Sequence, residues 1–175
     1  MNPPPRILLF TGDGKGKTTA ALGIALRALG HNLPTLIVQF IKCDDSTGEY
    51  SVFRRFPCVE IRQSGLGFLP PPSSSKFAAH QQAAHQALDA ASRALVEGKY
   101  RVVILDEICV AVAKNLVDEE DVIRAIKRAP HGAIVVLTGR EASQKLIDLA
   151  DTVTEMRCLK HAYRQGRQAQ EGVEF

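Results

Sequence analysis

The densest chemistry in the chain is the segment TGDGKGKTT, Thr11 to Thr19. Glycines at 12, 14 and 16 let a backbone turn tightly and approach a ligand with no Cβ in the way. N–H groups freed by such a turn, set at a helix N-terminus, form an anion nest. Lys17 would neutralise phosphate charge, and Thr18 would offer its hydroxyl to Mg²⁺. The strict phosphate-loop pattern G-x-x-x-x-G-K-[ST] wants glycine at position 11. This chain has Thr11 there, and Gly12 comes one place late. Gly14, Gly16, Lys17, Thr18 and a strand-to-helix context all meet the pattern.

The second chemical signal is RVVILDE, Arg101 to Glu107, an apolar run ending in two acids. Asp106 and Glu107 at the carboxyl end of a strand can hold Mg²⁺ directly or through water, beside the phosphate loop. Which of them faces the metal is not legible from the pattern. Arg140, in LTGR at the end of another apolar run, is a candidate phosphate or ribose contact. The histidines offer less. His80 and His85 are five apart, about 140° around a helix, so they cannot share a metal from one helix. His161 could reach a site from the tail, though a surface role is the better default, and no Ser-His-Asp or Cys-His arrangement is suggested. These motifs describe a Mg-NTP-binding protein. They leave an NTPase, a small-molecule kinase and a binding module without turnover all open.

Elements must carry these residues to one place. Apolar runs at Arg6–Phe10, Pro34–Phe40, Val59–Arg62, Arg101–Asp106, Ala133–Thr138 and Thr152–Arg157 read as strands. The longer ones do not alternate apolar with polar, as expected of strands covered on both faces. Helices are expected at Thr18–Leu29 with Gly30 as C-cap, at Ser75–Glu97, after a cap at Asp118 up to a stop at Pro130, and at Glu141–Leu149. Strand and helix in alternation imply right-handed βαβ units. The expected fold is α/β, an open, mostly parallel sheet with helices on both faces, of the P-loop NTPase, RecA-like type. Ile41–Tyr50 and Gln63–Ser75 resist assignment and read as loops following strands, where open α/β sheets bind ligands.

The 175 residues suit one domain, 1–175. A net charge of +3 is too small to argue for nucleic acid or a membrane surface. Cys43, Cys58, Cys109 and Cys158 form no C-x-x-C pair, which points to buried free thiols in a reducing cytoplasm. No apolar run reaches the ~18 residues of a membrane span, and the start has no signal-peptide core. A cytoplasmic protein is expected. Tryptophan is absent.

Beyond its motifs the chain resembles the P-loop ATP:corrinoid adenosyltransferases. The matching pieces are FTGDGKGKTTAALGIALRALGH (Phe10–His31), VQFIK (Val38–Lys42), VILDEI (Val103–Ile108), LTGR (Leu137–Arg140), LIDLADTVTEMR (Leu146–Arg157) and KHAYRQGRQAQEGVEF (Lys160–Phe175). They run in family order over nearly the whole chain, and Thr11 is also common in this family's loop. The resemblance implies attack by cob(I) on the 5′ carbon of ATP, with triphosphate leaving, and an ATP reversed relative to ordinary P-loop enzymes. It implies that Gly12, Asp13, Gly14, Lys15, Gly16, Lys17, Thr18 and Thr19 hold the triphosphate. Thr18 and Glu107 would serve Mg²⁺ with Asp106 in support, and Arg27 would contact nucleotide. The corrinoid would be cob(I)alamin or a cobyrinic acid derivative, a reductase would supply electrons for Co(II) to Co(I), and a homodimer is expected. The family commonly carries G-x-G-F-T-W after the third strand, where aromatics press on the corrin. This chain reads GLGFLP, Gly65 to Pro70, so Phe68 is retained while Leu69 and Pro70 stand in place of Thr and Trp. The first strand starts near the beginning of the chain, so the N-terminal extension that some members fold over the corrinoid is expected to be missing.

Overall fold

A computed structural model describes residues 3–173. Six strands form one sheet: β1 (Arg6–Thr11), β2 (Thr35–Gln39), β3 (Val59–Gln63), β4 (Val102–Asp106), β5 (Ile134–Thr138) and β6 (Thr152–Glu155). Their order is β3-β2-β4-β5-β1-β6, and every pairing is parallel. The helices are α1 (Lys17–Gly30), α2 (Gly48–Phe53), α3 (Phe77–Glu97), α4 (Ile108–Ala113), α5 (Glu119–Lys127) and α6 (Gln144–Leu149).

The unbroken apolar runs are explained by burial on both sides. Leu9, Leu36, Val38, Val103, Leu105, Val135 and Leu137 face one core with residues of α3, α4, α5 and α6. Ile37, Val102, Ile104 and Val136, next to them in the strands, face a second core with Ala21, Ala25 and Ala28 of α1 and Phe53 of α2. Burying a Leu or Ile contributes roughly 1.5–3 kcal/mol, so the strands of the sheet centre carry most of the stability. The edges differ: every residue of β6 is exposed.

The helix ends follow local chemistry, with two corrections. The Asp118 carboxylate accepts from the Glu120 and Asp121 N–H groups, as a capping residue should. Ser143, not Glu141, starts the last helix, its hydroxyl accepting from the Leu146 N–H. Gly30 is not the C-cap of α1. The helix runs through it to His31, and the left-handed turn is made by Asn32 (φ 52), a residue whose short polar side chain tolerates that conformation.

Parallel strands bring all their carboxyl ends to one edge of the sheet. The phosphate loop after β1, the two acids after β4 and Arg140 after β5 therefore share that edge. Among the described residues, no helix is long and apolar enough to cross a membrane.

Candidate functional site

The loop between β1 and α1 is already closed around its lysine. Lys17 Nζ donates to the carbonyls of Gly12 at 2.7 Å and Gly14 at 2.6 Å. Gly16 adopts φ 116 and caps α1 with no side-chain bond. The N–H groups of Lys17, Thr18 and Thr19 lie in the first turn, where no helical carbonyl can accept them. Not every loop N–H is available to an anion. The Gly14 N–H donates to the Met156 carbonyl at 2.6 Å, so Gly14 braces the loop instead of donating to phosphate. A Cβ on Gly12 or Gly14 would stand 2.5 or 2.6 Å from that same oxygen. These glycines are thus required by the chain leaving β6 as well as by any ligand. Asp151 fixes that chain in turn, accepting from the Ile7 N–H at 2.7 Å.

Asp106 is the hub of the site. It is fully buried. Its Oδ1 accepts from the hydroxyls of Thr18 at 2.8 Å and Thr138 at 2.7 Å, and its Oδ2 from Gln39 Nε2 at 3.1 Å. Gln39 Oε1 accepts from Gln63 at the end of β3, 3.1 Å away. The bond to Asp106 uses the Thr18 proton, which turns the lone pairs of that oxygen toward a cation. Of the two acids after β4, Glu107 is the one that lines the cleft. It sits in the left-handed region (φ 65, ψ 21) with its N–H bonded to the Thr138 hydroxyl at 2.9 Å. Such a conformation costs a non-glycine residue roughly 1–2 kcal/mol, and strain of this kind collects at functional sites.

A cleft of about 850 Å³ opens over these groups. Lys15, Lys17, Thr18 and Thr19 line it from the loop, Lys42 and Glu49 from the β2 side, and Arg140 from beyond β5. The residues not anticipated in the sequence are Gln39, Lys42, Glu49 and Lys114. Lys42 Nζ lies 2.9 Å from Glu49 and 3.9 Å from Asp106. Burial opposes its charge, but Asp106 and the Glu49 bond prevail and hold the ammonium above the ordinary lysine value. Lys17 goes the other way, lowered by burial and then by the charge of Arg140. His161, expected at the surface, lines the cleft instead. Asp13 lines a neighbouring cleft. Arg27 is exposed in the last turn of α1. At 1.5 Å rise per residue it lies about 15 Å along the helix from Lys17, and it does not line the cleft.

Phe68 is also outside the cleft, on the loop after β3, and fully exposed at 101%. That loop is pinned rather than loose. The Gly67 N–H donates to the Ile41 carbonyl at 2.9 Å, and Leu69 packs against the core. Gly65 lies so close to Ile41 that a Cβ would stand 2.0 Å from its carbonyl carbon. Of the four cysteines expected to be buried, Cys109 alone is, its thiol pushed up to about 12 by desolvation, while Cys58 and Cys158 are half-buried and Cys43 is exposed.

Glu107 gives the first prediction. Burial, then the adjacent Asp106 charge, raises its pKa against the pull of Lys42, Lys17 and Arg140. A carboxyl that is raised on folding lowers stability as pH climbs through the ordinary carboxylate range toward the folded value. Glu107→Gln is therefore expected to raise Tm at pH 7–8 and to lose that advantage in acid, where wild type is protonated too. Thermal melts across pH check this. An equal Tm difference at every pH would contradict it.

Comparison with known proteins decides the family. The model of the ATP:corrinoid adenosyltransferases BtuR/CobO/CobP matches residues 4–175. The chain belongs to this adenosyltransferase family. It is 40% identical over 171 residues to the corrinoid adenosyltransferase of Pseudomonas aeruginosa, covering 97% of this chain and 83% of that one. It is 37% identical over 169 residues to the corrinoid adenosyltransferase of Escherichia coli K12, covering 97% and 85%. Among solved structures, the flagellar accessory protein FlaH of Methanocaldococcus jannaschii aligns with a TM-score of 0.57 over 88% of this chain and 71% of that one. At 14% identity that likeness concerns the fold alone. It agrees with the P-loop NTPase class expected for this adenosyltransferase.

Proposed function

We propose that this chain transfers the 5′-deoxyadenosyl group of ATP to the reduced cobalt of a corrinoid. The cobalt electron pair forms the bond to C5′, the C5′–O bond breaks, and triphosphate departs with the electrons of the broken C5′–O bond. The nucleophile is a metal with a filled orbital, so no side chain has to remove a proton. What the protein supplies is orientation and charge stabilisation for the leaving group. Family membership carries the reading, joined to one observation: a phosphate loop with Lys17 and Thr18 held in place by buried partners.

The residues present suit Mg²⁺. Among the described residues, no group of three or more His, Cys, Asp or Glu could enclose a metal. A Mg²⁺ ion instead draws on few protein oxygens and on substrate phosphates. Thr18 and Glu107 would hold it, and Asp106 would orient Thr18. When bound, the ion would spread negative charge from the triphosphate. Gly16, Lys17, Thr18 and Thr19 would bind phosphate oxygens, with Lys15, Lys42 and Arg140 adding charge across the cleft. The same reading takes cob(I)alamin or a cobyrinic acid derivative as cosubstrate, a cellular reductase as electron source, a cytoplasmic setting and a homodimer. A nucleotide contact by Arg27 would have to come from outside the cleft of its own chain.

Phe68 is the candidate corrinoid contact. Leu66 and Phe68 are both exposed on the pinned loop after β3, an apolar pair offered outward where a flat macrocycle can rest. Phe68→Ala should leave Tm and Mg-ATP binding unchanged, because the ring packs on nothing. It should abolish the four-coordinate Co(II) species seen in the visible spectrum with Mg-ATP, and with it reduction and adenosylation. A wild-type spectrum from the variant would remove Phe68 from the site. Release of ADP or AMP without corrinoid would overturn the reaction itself.

A further inference from the structure

A second cleft, of about 480 Å³, adjoins the first and shares Arg140 and His161 with it. Its remaining charged lining is Asp13 of the phosphate loop with Arg164 and Arg167 of the tail. The tail is built to present these groups. A single 3₁₀ turn, Ala162–Gln165, is started by His161, whose Nδ1 accepts from the Tyr163 N–H at 3.3 Å, and is closed by Gly166 at φ 74. Accepting at Nδ1 leaves Nε2 as a donor. Among the described residues, none of Arg140, Arg164 and Arg167 is within ion-pair distance of a carboxylate. Three guanidiniums facing a concave space with one acid repel one another until an anion enters. Their fork geometry suits phosphate oxygens.

Position along the sheet adds direction. Asp13 follows β1 and the tail follows β6, at one end of the strand order, while the loop of Phe68 follows β3 at the other. At a spacing of ~4.8 Å per strand the two ends lie roughly 24 Å apart. We infer that the second cleft is a polyphosphate site, in which Arg164 and Arg167 take the terminal phosphates of the nucleotide and retain the triphosphate after transfer. This rests on the adenosyl-transfer reading and extends it. The adenosyl end points toward β2 and β3, and the most charged end points toward the tail. Breaking the C5′–O bond adds negative charge to the leaving group, which strengthens its hold on the arginines as it departs.

Calorimetric titration of the full chain with inorganic triphosphate, pyrophosphate and orthophosphate, in the presence of Mg²⁺, tests this. Wild type should bind triphosphate better than pyrophosphate. The double variant Arg164→Ala/Arg167→Ala should lose about 10-fold or more for triphosphate, the size of one or two charged hydrogen bonds, and under about 2-fold for pyrophosphate, which the phosphate loop alone can hold. Unchanged triphosphate affinity, or equal losses for both anions, would overturn the site. Adenosyl transfer by wild type is measured separately. Normal turnover beside unchanged triphosphate binding in the variant rejects the arginine site and keeps the reaction. Absent turnover beside the expected discrimination rejects the reaction and keeps the site.

Discussion

Lys17→Ala is expected to lower kcat/KM for adenosyl transfer by about 10²–10³-fold, the cost of removing one preorganised donor to developing charge. Lys15→Ala is expected to cost under about 5-fold, as for an exposed charge. The difference comes from geometry. Lys15 is exposed at the cleft wall. Lys17 is bonded at 2.7 and 2.6 Å to two carbonyls of its own loop, so its ammonium is in place before substrate arrives. An entering phosphate meets a charge that needs no reorientation. Partial burial lowers the Lys17 pKa, which shows that the ammonium is only partly hydrated and can be attracted more strongly to phosphate. Gly14 is buried and Gly12 half-buried, so losing the donor to their two carbonyls should also cost about 1–3 kcal/mol of stability. Steady-state kinetics of both variants beside wild type decide the matter. Comparable losses would mean that neither lysine is specially placed.

The contrast between these lysines was legible in the sequence because spacing within one loop is local information. The sheet was legible for the same reason: a run such as Val102–Leu105 is apolar on both faces only where both are covered. What escaped was either too short or too distant in sequence. Gly48–Phe53 and Ile108–Ala113 are six-residue helices. The first lies in a polar stretch and the second is apolar all round, so neither shows a helical period. Gln39 and Asp106 are 67 residues apart, and nothing near Gln39 announces a buried acceptor. The use of the Gly14 N–H by Met156 is likewise tertiary. His161 could be seen only as able to reach a site from the tail, because the tail has no period and its position depends on that tail folding back to the cleft. For Phe68 the local reading supplied the side chain, but only the fold shows that Gly65 and Ile41 press the loop into a fixed shape.

Asp106→Ala and Asp106→Asn should separate stability from activity at the hub. Alanine leaves the Thr18, Thr138 and Gln39 donors without their acceptor in a buried space, and leaves Lys42 without a carboxylate that lies 3.9 Å away. Removing one partner of such a buried charged set costs about 3–5 kcal/mol. At 2–4 °C per kcal/mol for a chain of this size, Tm should fall by roughly 6–20 °C. Asparagine keeps the volume. Its amide nitrogen fits best on the side of the two hydroxyls, which can rotate and accept, because Gln39 and Lys42 present only donors to the other side. Tm should then fall by about 1–3 kcal/mol of stability. Activity should suffer far more than stability. Once Thr18 accepts from the asparagine, one of its two lone pairs is spent and its displaced proton turns toward the cleft, where it would compete with Mg²⁺ for the side the metal would take. A loss of about 10²-fold or more in kcat, the scale of a misdirected catalytic donor, with rising Mg²⁺ demand, is the expected result. If Asp106→Asn matched wild type at ordinary Mg²⁺, the orientation of the Thr18 hydroxyl would not be what Asp106 contributes, and its role would reduce to holding β4 against β2 and β5.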